Sequence, residues 1–225
     1  MLNLLFPRLC PACEMVLSQG ERDLCTTCRH ELPQTNYHLF HPNPVEQLFQ
    51  GRIALQKATA FLKFQPNNKV QHLLHELKYH GQQSIGTCLG HWFGALLYES
   101  HFFGKIDFVI PVPISKQRHR LRGYNQVRKF AEALSLQLRS HCVTELLVKT
   151  KDVQSQVTLN ANERAKILFN TFSINEDSPV NTNSRILLVD DLITTGATLE
   201  SCAKTLNNAA YHHLSIAAIA ITDNT

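Results

Sequence analysis

No stretch of this 225-residue chain is apolar for the roughly 18 residues that a membrane span needs; the longest run, Leu214 to Thr222, is strand-sized. The start, Met1-Leu-Asn-Leu-Leu-Phe-Pro-Arg-Leu9, is apolar for too few residues and lacks a basic lead. It therefore predicts no secretory signal, and the expected location is the cytoplasm. Glycine and proline together number only 18, too few for a collagen-like or disordered chain. Internal repeats and low-complexity tracts are absent, and charge is nearly balanced, 22 Lys+Arg against 18 Asp+Glu for a net +4. What remains is an ordinary globular composition, 44% apolar. Its length suits one main domain of roughly 150–200 residues with a small appendage.

Cysteine is scarce but unevenly placed. Of seven, an odd count, four are grouped as Cys10-x2-Cys13 and Cys25-x2-Cys28. Cys88, Cys142 and Cys202 fall in apolar patterns and read as small buried hydrophobes. In a reducing compartment two such pairs read as metal ligands rather than a disulfide framework. Each pair offers two thiolates from one tight turn, and two turns close a tetrahedral soft-ligand site that suits Zn²⁺. A dithiol redox centre would need only one pair, opening a helix after a strand. With four sulfurs the site is closed, hence structural, and the ion would replace a core that so short a segment cannot build.

A Pro/Asn/His-rich stretch, Pro33 to Pro44, looks like a linker, which divides the chain into a cysteine-rich segment, 1–44, and a domain, 45–225. Gln56 to Phe64 has strand composition. Val70, Leu73, Leu74 and Leu77 fall on one helical face ending by Gly81, and a second helix is expected over Ser84 to Ser100. Strands and helices then alternate. Ile106–Val112, Val143–Val148, Arg185–Asp190 and Leu214–Ile221 read as strands, and Val127 to Leu138 and Thr195 to Asn208 as helices. Asn160 with Glu163 resembles a helix cap. Such alternation predicts an α/β domain with a largely parallel sheet flanked by helices.

The sharpest motif is Ile186-Leu-Leu-Val-Asp190-Asp191-Leu-Ile-Thr194-Thr195-Gly196-Ala197-Thr198. A buried strand is expected to end in two carboxylates, followed by a Thr/Gly turn that opens a helix. In parallel sheets the ligand crevice lies at the carboxyl ends of strands. Free N–H groups at a helix start bind phosphate, and glycine lets the backbone approach it. Carboxylates beside a phosphate cradle would repel it unless they accept hydrogen bonds from sugar hydroxyls. The run therefore describes a cup for a ribose 5-phosphate. It resembles the fingerprint of type I phosphoribosyltransferases. That resemblance implies that Asp190 and Asp191 hold the ribose hydroxyls of phosphoribosyl pyrophosphate, and that Thr194, Thr195, Gly196, Ala197 and Thr198 hold its 5-phosphate. A nucleotide hydrolase would need a P-loop lysine, which the near match Gly81 to Thr87 lacks. A receiver domain would carry its acidic pair near the first strand.

Ahead of this run lies a basic stretch. Between Lys105 and Lys151 stand ten basic and three acidic residues, so the rest of the chain carries a net −3. The bland reading is a solvated loop. The sharper one is an electrostatic seat for pyrophosphate, built on Pro111, Val112, Pro113, Ser115, Lys116, Arg118 and Arg122. The string Pro-Val-Pro-x4-Arg-x3-Arg-Gly-Tyr-Asn-Gln, with the paired cysteines and Gln156-x2-Leu159-x4-Arg164, resembles the ComF (competence protein F) family and its GntX-like relatives over essentially the full length. The chain departs from that pattern at Ile167, where many members have Asn, and at Lys149 and Lys151, where Arg is frequent. Lys149, Lys151 and Arg164 would belong to a flexible loop closing over the substrate.

The resemblance implies a type I phosphoribosyltransferase-like domain behind a zinc-ribbon-like segment, and a role in DNA uptake during natural transformation, beside incoming single-stranded DNA and a helicase-type partner. If the domain is catalytic, an incoming nitrogen displaces pyrophosphate at ribose C1, with Mg²⁺ neutralising charge. A metabolic phosphoribosyltransferase acting on a small nitrogenous acceptor, and a ligand-sensing binding protein, stay open. Tyr124 is the one aromatic inside the basic run, weak support for base stacking. His75-Glu76-x3-His80 resembles a zinc-protease motif, but its histidines are five apart where one helical face needs four, so no metal is expected there.

Overall fold

The computed structural model describes residues 7–150 and 171–222. Its centre is a five-stranded parallel sheet of β1 (Lys57–Phe64), β2 (Phe108–Pro111), β3 (His141–Cys142), β6 (Ile186–Ile193) and β7 (Leu214–Thr222). β4 (Leu147–Lys149) and β5 (Phe172–Ile174) form a separate antiparallel pair. The order in the sheet is β1-β7-β6-β2-β3. β6 and β7 are buried on both faces almost throughout, which is why they read as unbroken apolar runs rather than alternating ones.

Alternation along β6 sorts its side chains between two cores. Leu187 and Val189 join a cluster with Phe130, Ala131 and Leu134 of α6 (Arg128–Gln137), with α3 (Lys69–Tyr79) and with α4 (Gln83–Glu99). Ile186 and Leu188 face the other cluster, formed with Val45 and Phe49 of α2 (Pro44–Phe49) and with Leu199, Cys202 and Leu206 of α7 (Ala197–Asn208). The crossover from β2 to β3 thus lays α6 on one face, and that from β6 to β7 lays α7 on the other. Strand order reverses between β2 and β6, and a ligand crevice forms at the carboxyl ends on either side of such a reversal. The register sharpens it. Pro111 is the last β2 residue paired with β6, opposite Val189, whereas β6 continues beside β7 to Ile193.

α4 and α6 meet along a glycine seam. A Cβ at Gly90 would sit 2.6 Å from the Phe130 carbonyl oxygen, and one at Gly94 would sit 2.6 Å from Gln137 Cβ. The backbones approach that closely because these positions carry no side chain.

Three expectations are corrected. The strand expected over Val143–Val148 is divided: the chain leaves the parallel sheet after Val143, whose amide still donates to the Val109 carbonyl at 3.1 Å, and its ladder with β5 starts at Leu147. The strand expected to end at the acidic pair runs on to Ile193, because β7 supplies partners that far. The stretch expected as a linker packs on the outer edge of β1: Gln34 bridges to Leu62, and Thr35 is buried with its amide on the Phe61 carbonyl at 2.9 Å. The Asn160–Glu163 cap lies outside the described residues.

Candidate ligand-binding site

Cys10, Cys13, Cys25 and Cys28 bring their Sγ atoms within 4.8 Å of one another. Cys25 also caps α1 (Thr26–Glu31), accepting from the Cys28 amide, and Cys10 Sγ accepts from the Cys25 amide at 3.5 Å. Sulfurs around a tetrahedral Zn²⁺ with bonds of about 2.3 Å stand about 3.8 Å apart; the Cys13 and Cys25 sulfurs are 3.7 Å apart. The residues therefore fit the ion, and the cluster is a structural zinc site. Burial opposes ionisation of Cys10, yet amides of Cys25, Ala12 and Cys13 outweigh it and bring its pKa down to about 7. Cys28 is pushed the other way by burial and neighbouring sulfurs. The segment docks on the main domain: Cys10, Cys28 and Leu32 share the core cluster of Phe61 and Phe93, and Arg29 reaches Cys88 Sγ at 3.7 Å.

At the carboxyl ends of β2 and β6 lies a cavity of about 350 Å³. Asp190 and Asp191 form its floor, Thr194 and Thr198 one wall, and Val112, Pro113, Arg118 and Arg122 the opposite wall, with Lys149 at the side. These are the expected site residues that the fold brings together. Pro111 is buried within β2, and Lys116, Thr195, Gly196 and Ala197 do not line the cavity. Ser115 is buried as the N-cap of α5 (Lys116–Arg122), its Oγ accepting from the Arg118 amide at 3.2 Å. Lys151 and Arg164 lie outside the described residues.

The two carboxylates occupy unlike surroundings because neighbouring strand residues point to opposite faces. Both are buried, 8% and 6% exposed; burial of Asp190, then the charge of Asp191, raises the Asp190 pKa well above the usual carboxylate value. Its Oδ1 accepts the Asp191 amide at 2.8 Å. Asp191 faces α3, where Lys78 Nζ lies 2.7 Å from its Oδ2. Gln126 Nε2 approaches the same oxygen at 3.4 Å and in turn accepts from Arg122 Nη1 at 2.8 Å. Arg122 also lies over the Tyr79 ring, 5.1 Å from its centre.

The Arg-Gly-Tyr-Asn-Gln string proves to be a set of ties. Tyr124 donates to the Leu77 carbonyl at 2.6 Å and Asn125 to the Val112 carbonyl at 3.0 Å, fixing the loop after α5 to α3 and to the end of β2. Across the cavity α7 begins without a side-chain cap, at Gly196 with φ +73°. A Cβ there would lie 2.7 Å from the Phe49 ring, so this glycine serves the turn and the core beneath it. Arg52 braces the turn from outside, donating to the Thr195 carbonyl at 3.0 Å and pairing with Glu200.

Sequence reasoning missed Lys78, Tyr79 and Arg52. Lys78 adjoins an apolar helical stripe and by periodicity reads as solvated surface; no local signal marks it. His75, Glu76 and His80 do converge, their donor atoms within 4.8 Å of one another, although spacing argued otherwise. His80 sits at the end of α3 with Nδ1 2.6 Å from Glu76 Oε1, and Gln82 holds the second oxygen at 2.7 Å. Both histidines are half exposed, and the group is accounted for as a hydrogen-bonded brace at the C-terminus of α3.

Fold and site together define a class: a parallel α/β domain with a ligand crevice at a strand-order reversal, carrying a four-sulfur zinc site. Residues 1–39 match the double zinc ribbon domain family, and the four cysteines in that stretch make one cluster. The chain is 28% identical to the DNA utilization protein YhgH of Escherichia coli (strain K12), covering 91% of this chain and 93% of that protein. It is 29% identical to competence protein ComFC of Bacillus subtilis (strain 168), covering 85% and 81%. With competence protein F of Haemophilus influenzae identity is 32%, over 49% and 48% of the two chains. A crystal structure of adenine phosphoribosyltransferase aligns at 16% identity over 64% of this chain and 74% of that one, with a TM-score of 0.40, too loose a likeness to carry weight. The chain is thus similar over most of its length to proteins named for competence and for DNA utilization. No helix among the described residues is long and apolar enough to cross a membrane.

Proposed function

We propose that this protein serves the uptake and use of DNA in natural transformation, and that its domain, 45–225, binds phosphoribosyl pyrophosphate behind the zinc-bearing segment, 1–44. The names of its relatives support the first part. One observation carries the second: the Asp190–Asp191 pair, the hydroxyl side chains Thr194 and Thr198 beside the start of α7, and the basic side chains of α5 open on a single cavity at the strand-order reversal. In this reading Asp191 accepts from ribose hydroxyls while Asp190 fixes the backbone beneath it. The hydroxyls of Thr194 and Thr198 seat the 5-phosphate, and Arg118, Arg122 and Lys149 face the pyrophosphate. The buried acidic floor fits Mg²⁺, which supplies charge neutralisation between sugar and pyrophosphate when bound. Work beside single-stranded DNA and a helicase in the cytoplasm belongs to the same reading.

The test is calorimetry of phosphoribosyl pyrophosphate with Mg²⁺ present. Asp190→Asn with Asp191→Asn should abolish binding and leave the fold intact; unchanged affinity would remove the ribose assignment. In a competent host, the same double variant should fail to restore transformation to a deletion strain, and full restoration would count against a role for the cavity there. A second reading, transfer of phosphoribose to a small nitrogenous acceptor, draws on a neighbouring cavity of about 530 Å³. It shares Pro113 and Ile114 with the first and is lined further by Gln83, His119, Tyr124 and Asn125. Pyrophosphate release, screened over bases, amines and single-stranded DNA, separates the two.

A further inference from the structure

We propose that Lys78 is a ligand-binding residue of the cavity, which gives up Asp191 to the sugar hydroxyls and moves its ammonium to the pyrophosphate of the incoming ligand. This rests on the phosphoribosyl pyrophosphate reading above. Lys78 Nζ is 2.7 Å from Asp191 Oδ2, and the side chains are only 23% and 9% exposed, so the pair lies inside the cavity and not on its rim. Its setting is constrained on every side. Asp190 Oδ1 accepts the Asp191 amide, Gln126 approaches the same Asp191 oxygen as Lys78, and Arg122 is engaged by Gln126 and Tyr79.

A sugar phosphate brings hydroxyl donors and phosphate acceptors together. Asp191 accepts and cannot donate; Lys78 donates and cannot accept. Facing each other, the two occupy the sites that the ligand's two kinds of group would take. The lysine ammonium is a compact charge on a flexible four-carbon stem, able to change partner without moving the helix that carries it. Arg122, tied to Gln126 and lying over Tyr79, is less free to do so. The ion pair also keeps two neighbouring carboxylates from repelling an approaching phosphate. The cavity thus stores its countercharge in the position from which the ligand can claim it.

The exchange predicts a pattern across three probes, each titrated by calorimetry with Mg²⁺ present: phosphoribosyl pyrophosphate, ribose 5-phosphate and inorganic pyrophosphate. Only the first presents hydroxyls and pyrophosphate on one molecule. Lys78→Met should weaken it by about tenfold or more, as expected for a lost charged hydrogen bond, and the other two by less than about threefold. Lys78→Arg should recover part of the loss, and Lys78→Gln, polar but uncharged, should weaken binding as much as Lys78→Met, which assigns the loss to the charge and not to packing. Zinc content and thermal midpoint serve as controls. Undiminished binding of phosphoribosyl pyrophosphate to Lys78→Met overturns the proposal, as does an equal loss for all three probes, which would leave Lys78 a fixed partner of Asp191. If the wild-type protein binds none of the three, the reading of the cavity fails and the exchange fails with it.

Discussion

The zinc segment and the cavity solve one problem in opposite ways. Each gathers groups that repel one another when ionised, four sulfurs in one case and two carboxylates in the other. The sulfurs come from two tight turns and are reconciled by a cation from outside. The carboxylates sit on the central strand and are reconciled by the raised pKa of Asp190, which disfavours its charge, and by a lysine that a distant helix brings to Asp191. Local chain geometry suffices for the first, whereas the second needs the whole sheet in register. If that contrast is right, the two regions should fail separately.

The largest effect should come from removing zinc, by a chelator or by Cys28→Ser. Apparent zinc-binding free energies of about 10–16 kcal/mol in small fingers are folding free energies there, so a cost of several kcal/mol is expected here. Limited proteolysis should then cut within the first 39 residues while ligand binding to the cavity persists. Binding lost together with zinc would make the regions one unit, as their shared core would allow. Next, Gly196→Ala should cost about 1–3 kcal/mol, since a side chain at φ +73° is strained and would strike Phe49; the denaturation midpoint measures it.

Asp190→Asn should act in the opposite direction. Because the folded protein raises the pKa of Asp190, the penalty for its charge is present above that raised value and is relieved as pH falls through it. The wild-type protein should therefore gain stability on acidification through that range. The Asn variant should lack this gain and be more stable at neutral pH by about 1 kcal/mol or more, while losing the ligand. Equal stabilities at neutral pH would deny Asp190 its buried charge. The smallest effect is Arg52→Ala. Burial opposes ionisation of Glu200, but Lys204 and Arg52 outweigh it and lower its pKa. Its contribution is present above the unfolded carboxylate value and fades as pH falls through the lower folded one. With Lys204 still in place, the loss should be at most about 1 kcal/mol, read from the difference in denaturation midpoints at neutral and acidic pH.

How much was legible follows from the same contrast. Cys10 to Cys28, the stripe Val70–Leu77 and the apolar runs of β6 and β7 declare themselves through spacing a few residues long. Asp190 and Asp191 were legible as a motif, but not their inequality, which arises from the strand carrying each to a different face. Lys78 was invisible because its partner lies in another element, far along the chain. Ser115 and Gly196 were read for their chemistry, and the structure gives each a local task as well, a helix cap and a turn over Phe49. The strand expected over Val143–Val148 failed because apolar composition does not say which sheet a segment joins.

The seam of missing methyl groups between α4 and α6 has a consequence for inheritance as well as for packing. α6 follows directly from Gln126, whose amide touches Asp191. A single added carbon at Gly90 would have to shove that helix outward, and the tremor would arrive at the acidic floor without any altered residue being near it. Natural variants silenced by such remote wedging would look, to anyone inspecting only the cavity, perfectly intact.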